Sequence, residues 1–134
     1  MKTMNDLLEY QKEMLAQPRS GFFDYDTGKT WFLRVPWRSI WDDTIDLIRL
    51  EAYRLHTALP KLGSRAVIAR SSPSGWHLYF PDANLTWQEN EALLFYSRAH
   101  RGFVKFSLLL TDCTLRVGEK PGVMAPYIVE VINF

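Results

Sequence analysis

The chain has 134 residues, 16 Lys and Arg against 15 Asp and Glu, and a single cysteine, Cys113. A chain of this length buries about two thirds of its unfolded surface, which predicts one domain over residues 1–134 that folds without staples. A net charge of +1 excludes a protein that grips nucleic acid through its whole surface, a lone thiol excludes an internal disulfide and a cysteine-based zinc site, and no apolar run is long enough for a membrane span.

Residues 1–17 mix Asp, Glu and Lys with apolar residues, so no signal segment is read and the expected compartment is the cytoplasm, where Cys113 stays reduced. Residues 4–16 predict a short helix with Leu7, Leu8, Met14 and Leu15 on its apolar side, ended by Pro18. Residues 1–18 are thus a helical appendage to a core over residues 20–134. Residues 22–26 and 30–35 read as strand-like pieces that the turn Thr27-Gly28-Lys29 joins as a hairpin. The clearest helix follows. Ser39 and Asp42 resemble a capping box, and Trp41, Ile45, Ile48, Ala52, Leu55 and Leu59 form one stripe until Pro60 and Gly63 stop it.

Residues 65–70 and 76–80 predict two strands around the turn Ser72-Pro73-Ser74-Gly75. Thr86 and Glu89 form a second capping box, opening a helix to about Arg98 that His100-Arg101-Gly102 closes. Residues 103–110 are rich in apolar strand formers, residues 113–117 alternate as a further strand, and residues 128–132 supply a last one. From Thr30 onward the order is strand, helix, strand, strand, helix, strand, followed by extra strands. This predicts an α+β fold with a ferredoxin-like (RRM-like) split βαβ core, an antiparallel sheet covered by helices on one face. In its usual strand order, 4-1-3-2, the first, third and fourth strands lie side by side and share one open face.

Candidate functional residues fall on or near those strands. After Gly75, Trp76, Leu78 and Phe80 alternate with His77 and Tyr79, which sets the histidine on the face opposite the apolar residues. Ser71, Ser72 and Ser74 offer hydroxyls and Gly75 a close backbone approach, a cradle for phosphate oxygens, although an ordinary Ser-Pro-Gly hairpin turn beside a surface histidine has the same composition. Asp24 and Asp26 would lie about 7 Å apart on one side of a strand and suit Mg²⁺ or Mn²⁺. Asp112, with Arg116 and Lys120 after it, adds a third carboxylate and positive charge for a triphosphate.

Three ordered motifs, Phe22-Phe23-Asp24-Tyr25-Asp26, Ser74-Gly75-Trp76-His77 and Leu108-Leu109-Leu110-Thr111-Asp112, resemble those of the archaeo-eukaryotic primase and primase-polymerase superfamily over residues 20–117. The resemblance implies that Asp24, Asp26 and Asp112 hold a catalytic Mg²⁺ or Mn²⁺ and that Ser74 and His77 meet the phosphates of an incoming nucleotide. It implies template-directed phosphoryl transfer with a nucleoside triphosphate and a single-stranded nucleic acid as partners, in a DNA-replication setting with a replication protein as a further partner. Two other readings stand beside it. One is a non-catalytic module that holds single-stranded nucleic acid on the open face through Arg70, Tyr79, Lys105 and Arg116. The other is a protein-interaction subunit whose exposed aromatics meet a partner.

Overall fold

A computed structural model describes residues 21–26, 44–72, 75–111, 121–122 and 125–134. They form an α+β unit. In chain order it comprises β1 (Gly21–Asp26), α1 (Thr44–Ala58), a single 3-10 turn (Pro60–Leu62), β2 (Arg65–Ser72), β3 (Gly75–Phe80), α2 (Trp87–Tyr96), α3 (Arg101–Leu110) and β4 (Tyr127–Asn133). The expected helix over residues 4–16, the strands over 30–35 and 113–117, and the Ser39–Asp42 capping box all lie outside the described residues.

The stripe read from the sequence builds α1. Ile48, Ala52 and Leu55 are buried at helical spacing, with Ile45 and Leu59 packed beside them, and each such aliphatic side chain contributes roughly 1.5–3 kcal/mol by leaving water. Pro60 cannot continue the ladder. The chain instead makes one 3-10 turn that buries Leu62 and leaves through Gly63, whose φ of +100° places it in the region glycine adopts without strain. The Thr86–Glu89 capping box is formed reciprocally: Glu89 N–H donates to Thr86 Oγ1 at 3.2 Å and Thr86 N–H donates to Glu89 Oε1 at 2.9 Å.

Residues 103–110, expected as a strand, belong to helix α3. Val104 and Ser107 are buried and Phe103 and Leu108 half-buried, which is helical spacing, while Phe106, Leu109 and Leu110 remain on the outside. A continuous apolar run fits either period, and only the packing decides between them. His100, read as closing the preceding helix, instead caps this one, its Nδ1 accepting from Phe103 N–H at 3.3 Å.

The four strands make one antiparallel sheet in the order β1-β3-β2-β4. The expected first strand, residues 30–35, lies outside the described residues and the expected fourth, residues 103–110, is helix α3; in the observed sheet β3 lies between β1 and β2, and β4 pairs with β2. The start of α3 also meets the sheet. His100 N–H donates to the Asp24 carbonyl at 2.7 Å, and Phe103 packs edge-on against Phe22 with ring centroids 5.2 Å apart. The outer edge of β1 is therefore engaged by the start of this helix.

Both faces of the sheet are buried. One carries Phe23, Tyr25, Ala66, Ile68, Trp76, Leu78, Phe80 and Ile132, packed with the apolar sides of α1 and α2 and with Val104. The other carries Phe22, Val67, Ala69, Tyr79 and Ile128, with Phe103 and Val131 against them. The expected open face is thus closed at its centre, where Tyr79 is 0% and His77 4% exposed.

Candidate functional site

Strand register gathers several of the predicted residues. β1 and β3 run antiparallel with Asp24 directly opposite His77 and Asp26 opposite Gly75, while Ser72 of β2 meets Gly75 from the other side. Two transverse rows result: Asp24–His77–Ala69, and, two residues along, Asp26–Gly75–Ser72. The aspartates therefore stand on the edge strand β1, with Asp26 as its last residue. Between the rows, Tyr25, Trp76 and Arg70 form a third that belongs to the helix-covered face, where the Arg70 guanidinium lies 4.3 Å from the centre of the Trp76 ring.

The centre of the site is the Asp24–His77 pair. Asp24 Oδ1 and His77 Nε2 are 3.8 Å apart, beyond hydrogen-bond length but within ion-pair range when the imidazole is protonated. Their exposures differ sharply, 31% for the carboxylate and 5% for the ring. Phe22 presses its ring against the imidazole nearly at right angles, with centroids 5.2 Å apart, and the small Ala69 is the partner of His77 on β2. The histidine is thus held from below, and the carboxylate is the end a ligand can reach. Ser71 is buried where the β2–β3 register shifts between Arg70 and Ser72, a bulge that breaks the ladder just before the turn.

The residues proposed for strand binding do not assemble. Tyr79 is fully buried and offers no surface on which a base could stack. Arg70 sits on the opposite face from Tyr79, against Trp76. Lys105, expected on a strand, is an exposed residue of α3. Ser74, Asp112, Arg116 and Lys120 lie outside the described residues, and Asp26, Gly75 and Ser72 are placed here by their strand register. The hydrophobic approach to Asp112 ends a helix, with Thr111 as its C-cap at φ +53°.

A divalent cation takes several oxygen ligands. Asp24 supplies carboxylate oxygens of the right chemistry, but among the described residues no three His, Cys, Asp or Glu side chains gather. An apolar groove of about 430 Å³ between α2 and α3, lined by Phe95, Val104, Lys105, Leu108 and Leu109, has one cation and no carboxylate, and so lacks the donors for such chemistry.

Sequence reasoning missed Glu51. This carboxylate, 4% exposed on α1, accepts from Tyr25 Oη–H at 3.1 Å, Arg98 N–H at 2.7 Å and Arg54 Nε–H at 2.6 Å. Burial works against the charged Arg54 guanidinium, yet its hydrogen bond to and charge attraction with Glu51, helped by the Tyr96 side chain, hold its pKa above the ordinary value. The signal was present, since Glu51 stands three residues after Ile48 and four before Leu55 and so shares their stripe. Searches of protein-family models, curated proteins and solved structures find no match to this chain.

Proposed function

We propose that the chain is a reduced nucleotidyltransferase core of primase-polymerase type, carrying out metal-dependent phosphoryl transfer on nucleic acid with a ferredoxin-like β1-α1-β2-β3 half as its frame. The observation that carries this reading is Asp24 directly opposite His77 on paired strands, with Asp26, Gly75 and Ser72 in the row two residues along. Asp24, Asp26 and Asp112 would hold Mg²⁺ or Mn²⁺. When bound, such a cation stabilises the charge that develops on a transferring phosphoryl group and acidifies the attacking hydroxyl. The chain's own part is positioning. Gly75, without a Cβ, admits phosphate oxygens to the backbone; Ser72 and Ser74 donate hydroxyls to them; and Arg116 and Lys120 balance the triphosphate charge. A phosphate reaches the pair from the Asp24 side, since His77 is covered on its own.

A second reading, the protein-interaction subunit, is favoured by the exposure of Phe95, Phe106, Leu109 and Leu110 on α2 and α3, all above three fifths. The strand-binding module has no comparable support, because Tyr79 is buried. The test is synthesis from nucleoside triphosphates on a single-stranded template with Mg²⁺ or Mn²⁺. Chelator should abolish it. Asp24→Asn should lower it by about a hundredfold or more while the partly exposed side chain leaves stability nearly unchanged, and His77→Phe should do the same at a folding cost of less than about 1.5 kcal/mol. A folded wild-type chain that makes no product with either metal, and whose melting temperature is unmoved by Mn²⁺ with nucleotide, overturns the proposal and favours the interaction subunit.

A further inference from the structure

We infer that Glu51 is a positioning residue for Asp24, an inference that rests on the nucleotidyltransferase reading. Tyr25 stands between Asp24 and Asp26 in β1, and its side chain turns to the helix-covered face, where its hydroxyl donates to Glu51 Oε2. The same oxygen accepts the backbone N–H of Arg98, at the corner between α2 and α3. Two residues on, His100 N–H donates to the Asp24 carbonyl at the outer edge of β1. A closed path therefore runs from Glu51 through Tyr25 into the strand, and from Glu51 through Arg98 and His100 back to the same strand, one residue away.

The path is stiffened at its other oxygen. Glu51 Oε1 accepts from Arg54 Nε–H, and Arg54 Nη2 donates to the Tyr96 carbonyl at 2.9 Å with the guanidinium 4.1 Å from the centre of the Tyr96 ring. Ser97 Oγ–H closes back on the Leu94 carbonyl and its oxygen accepts Ala99 N–H, so each residue from Tyr96 to His100 is held in place. A carboxylate nearly shielded from water forms stronger hydrogen bonds than an exposed one, and an oxygen that loses one of its donors is costly to leave. Asp24 is consequently fixed on three sides: by β3 through the strand ladder, by His100 at its carbonyl, and by Tyr25 and Glu51 from behind.

Displacing a reacting group by about 1 Å costs as much as a hundredfold in rate, so loosening this path should lower turnover without unfolding the chain. The experiment compares wild type, Glu51→Gln and Tyr25→Phe, the last removing one hydroxyl and leaving the ring. Two quantities are read: amide hydrogen exchange at His100, and the kinetics of synthesis from all eight common nucleoside triphosphates on single-stranded DNA with Mn²⁺, well below the melting temperature. Expected are His100 exchange faster by about tenfold, kcat lower by about tenfold, and nucleotide KM within about twofold of wild type. An active wild type with kcat unchanged in both folded variants overturns the inference and leaves the nucleotidyltransferase reading intact. Unchanged His100 exchange in both variants overturns the proposed path. An inactive wild type overturns the nucleotidyltransferase reading, and with it a positioning role for Glu51.

Discussion

A carboxylate 3.8 Å from a buried imidazole gains little unless the ring is protonated or a cation intervenes, because the separation is too long for a hydrogen bond. The Asp24 backbone carbonyl is committed to His100 while its side chain stays partly in water. Strain marks a residue just before the expected Asp112. Thr111, the C-cap of α3, has φ +53° and ψ +34°, in the left-handed region that β-branched residues rarely enter. Its N–H donates to the Ser107 carbonyl, which is the contact a C-terminal glycine makes with less strain. Thr111→Gly should therefore raise stability by about 1 kcal/mol in thermal or urea unfolding. A loss of that size instead would show that the Thr111 side chain, whose Oγ1–H donates to the Leu110 carbonyl at 2.7 Å, contributes more than its backbone strain costs.

Caps decide how the elements begin, and they also decide which elements could be read in advance. Glu89 closes the box at the start of α2 and receives Lys61 Nζ–H at 2.7 Å, which, with the Thr86 backbone bond, lowers its pKa from the ordinary 4.5 to about 2. A carboxylate with a depressed folded pKa binds its proton more weakly than the unfolded chain does. Its stabilisation is complete above about pH 4.5 and is lost as pH falls toward 2. The difference in melting temperature between wild type and Glu89→Gln should be largest above pH 5 and should shrink steadily below it; a difference independent of pH from 6 to 2 would mean that the carboxylate charge is not what the cap uses. This box was legible because Thr and Glu three apart have few other uses before an apolar run. α3 was not. Histidine is an uncommon N-cap, and the run from Phe103 to Leu110 carries apolar residues on its outer side as well as its inner one, so neither a start signal nor a period identified the helix. Alternation in β3 gave the face of His77, while its pairing with Asp24 is set by strand register, which has no local signal. The place of Glu51 in the stripe is not decisive, because a charge within an apolar stripe looks the same whether it is buried with partners or turned to solvent.

At the scale of the whole molecule, alternation tells which residues share a face but not what covers that face. His77 and Tyr79 were correctly set opposite Trp76, Leu78 and Phe80, yet both faces of β3 are buried. The expected fourth strand failed for a related reason: residues 103–110 are helix α3, and the place of β4 beside β2 is a tertiary pairing with no local signature. Large apolar side chains are consequently divided between two buried faces and the outer surface of α2 and α3, and their energetic roles should divide the same way. Tyr79 is 0% exposed among Phe22, Val67, Ala69 and Ile128, so Tyr79→Ala should cost about 3–5 kcal/mol, as truncation of a buried aromatic does. Phe106 is 65% exposed, and Phe106→Ala should change stability by no more than about 0.5 kcal/mol. Urea unfolding of the two variants, with the slope compared to wild type, measures both values. A Tyr79→Ala cost below about 1 kcal/mol would mean that this face is open in solution. In that case the sheet would regain the aromatic platform that single-strand binding needs, and the Asp24–His77 pair would lie on a solvent-facing surface, no longer at the rim of a second core.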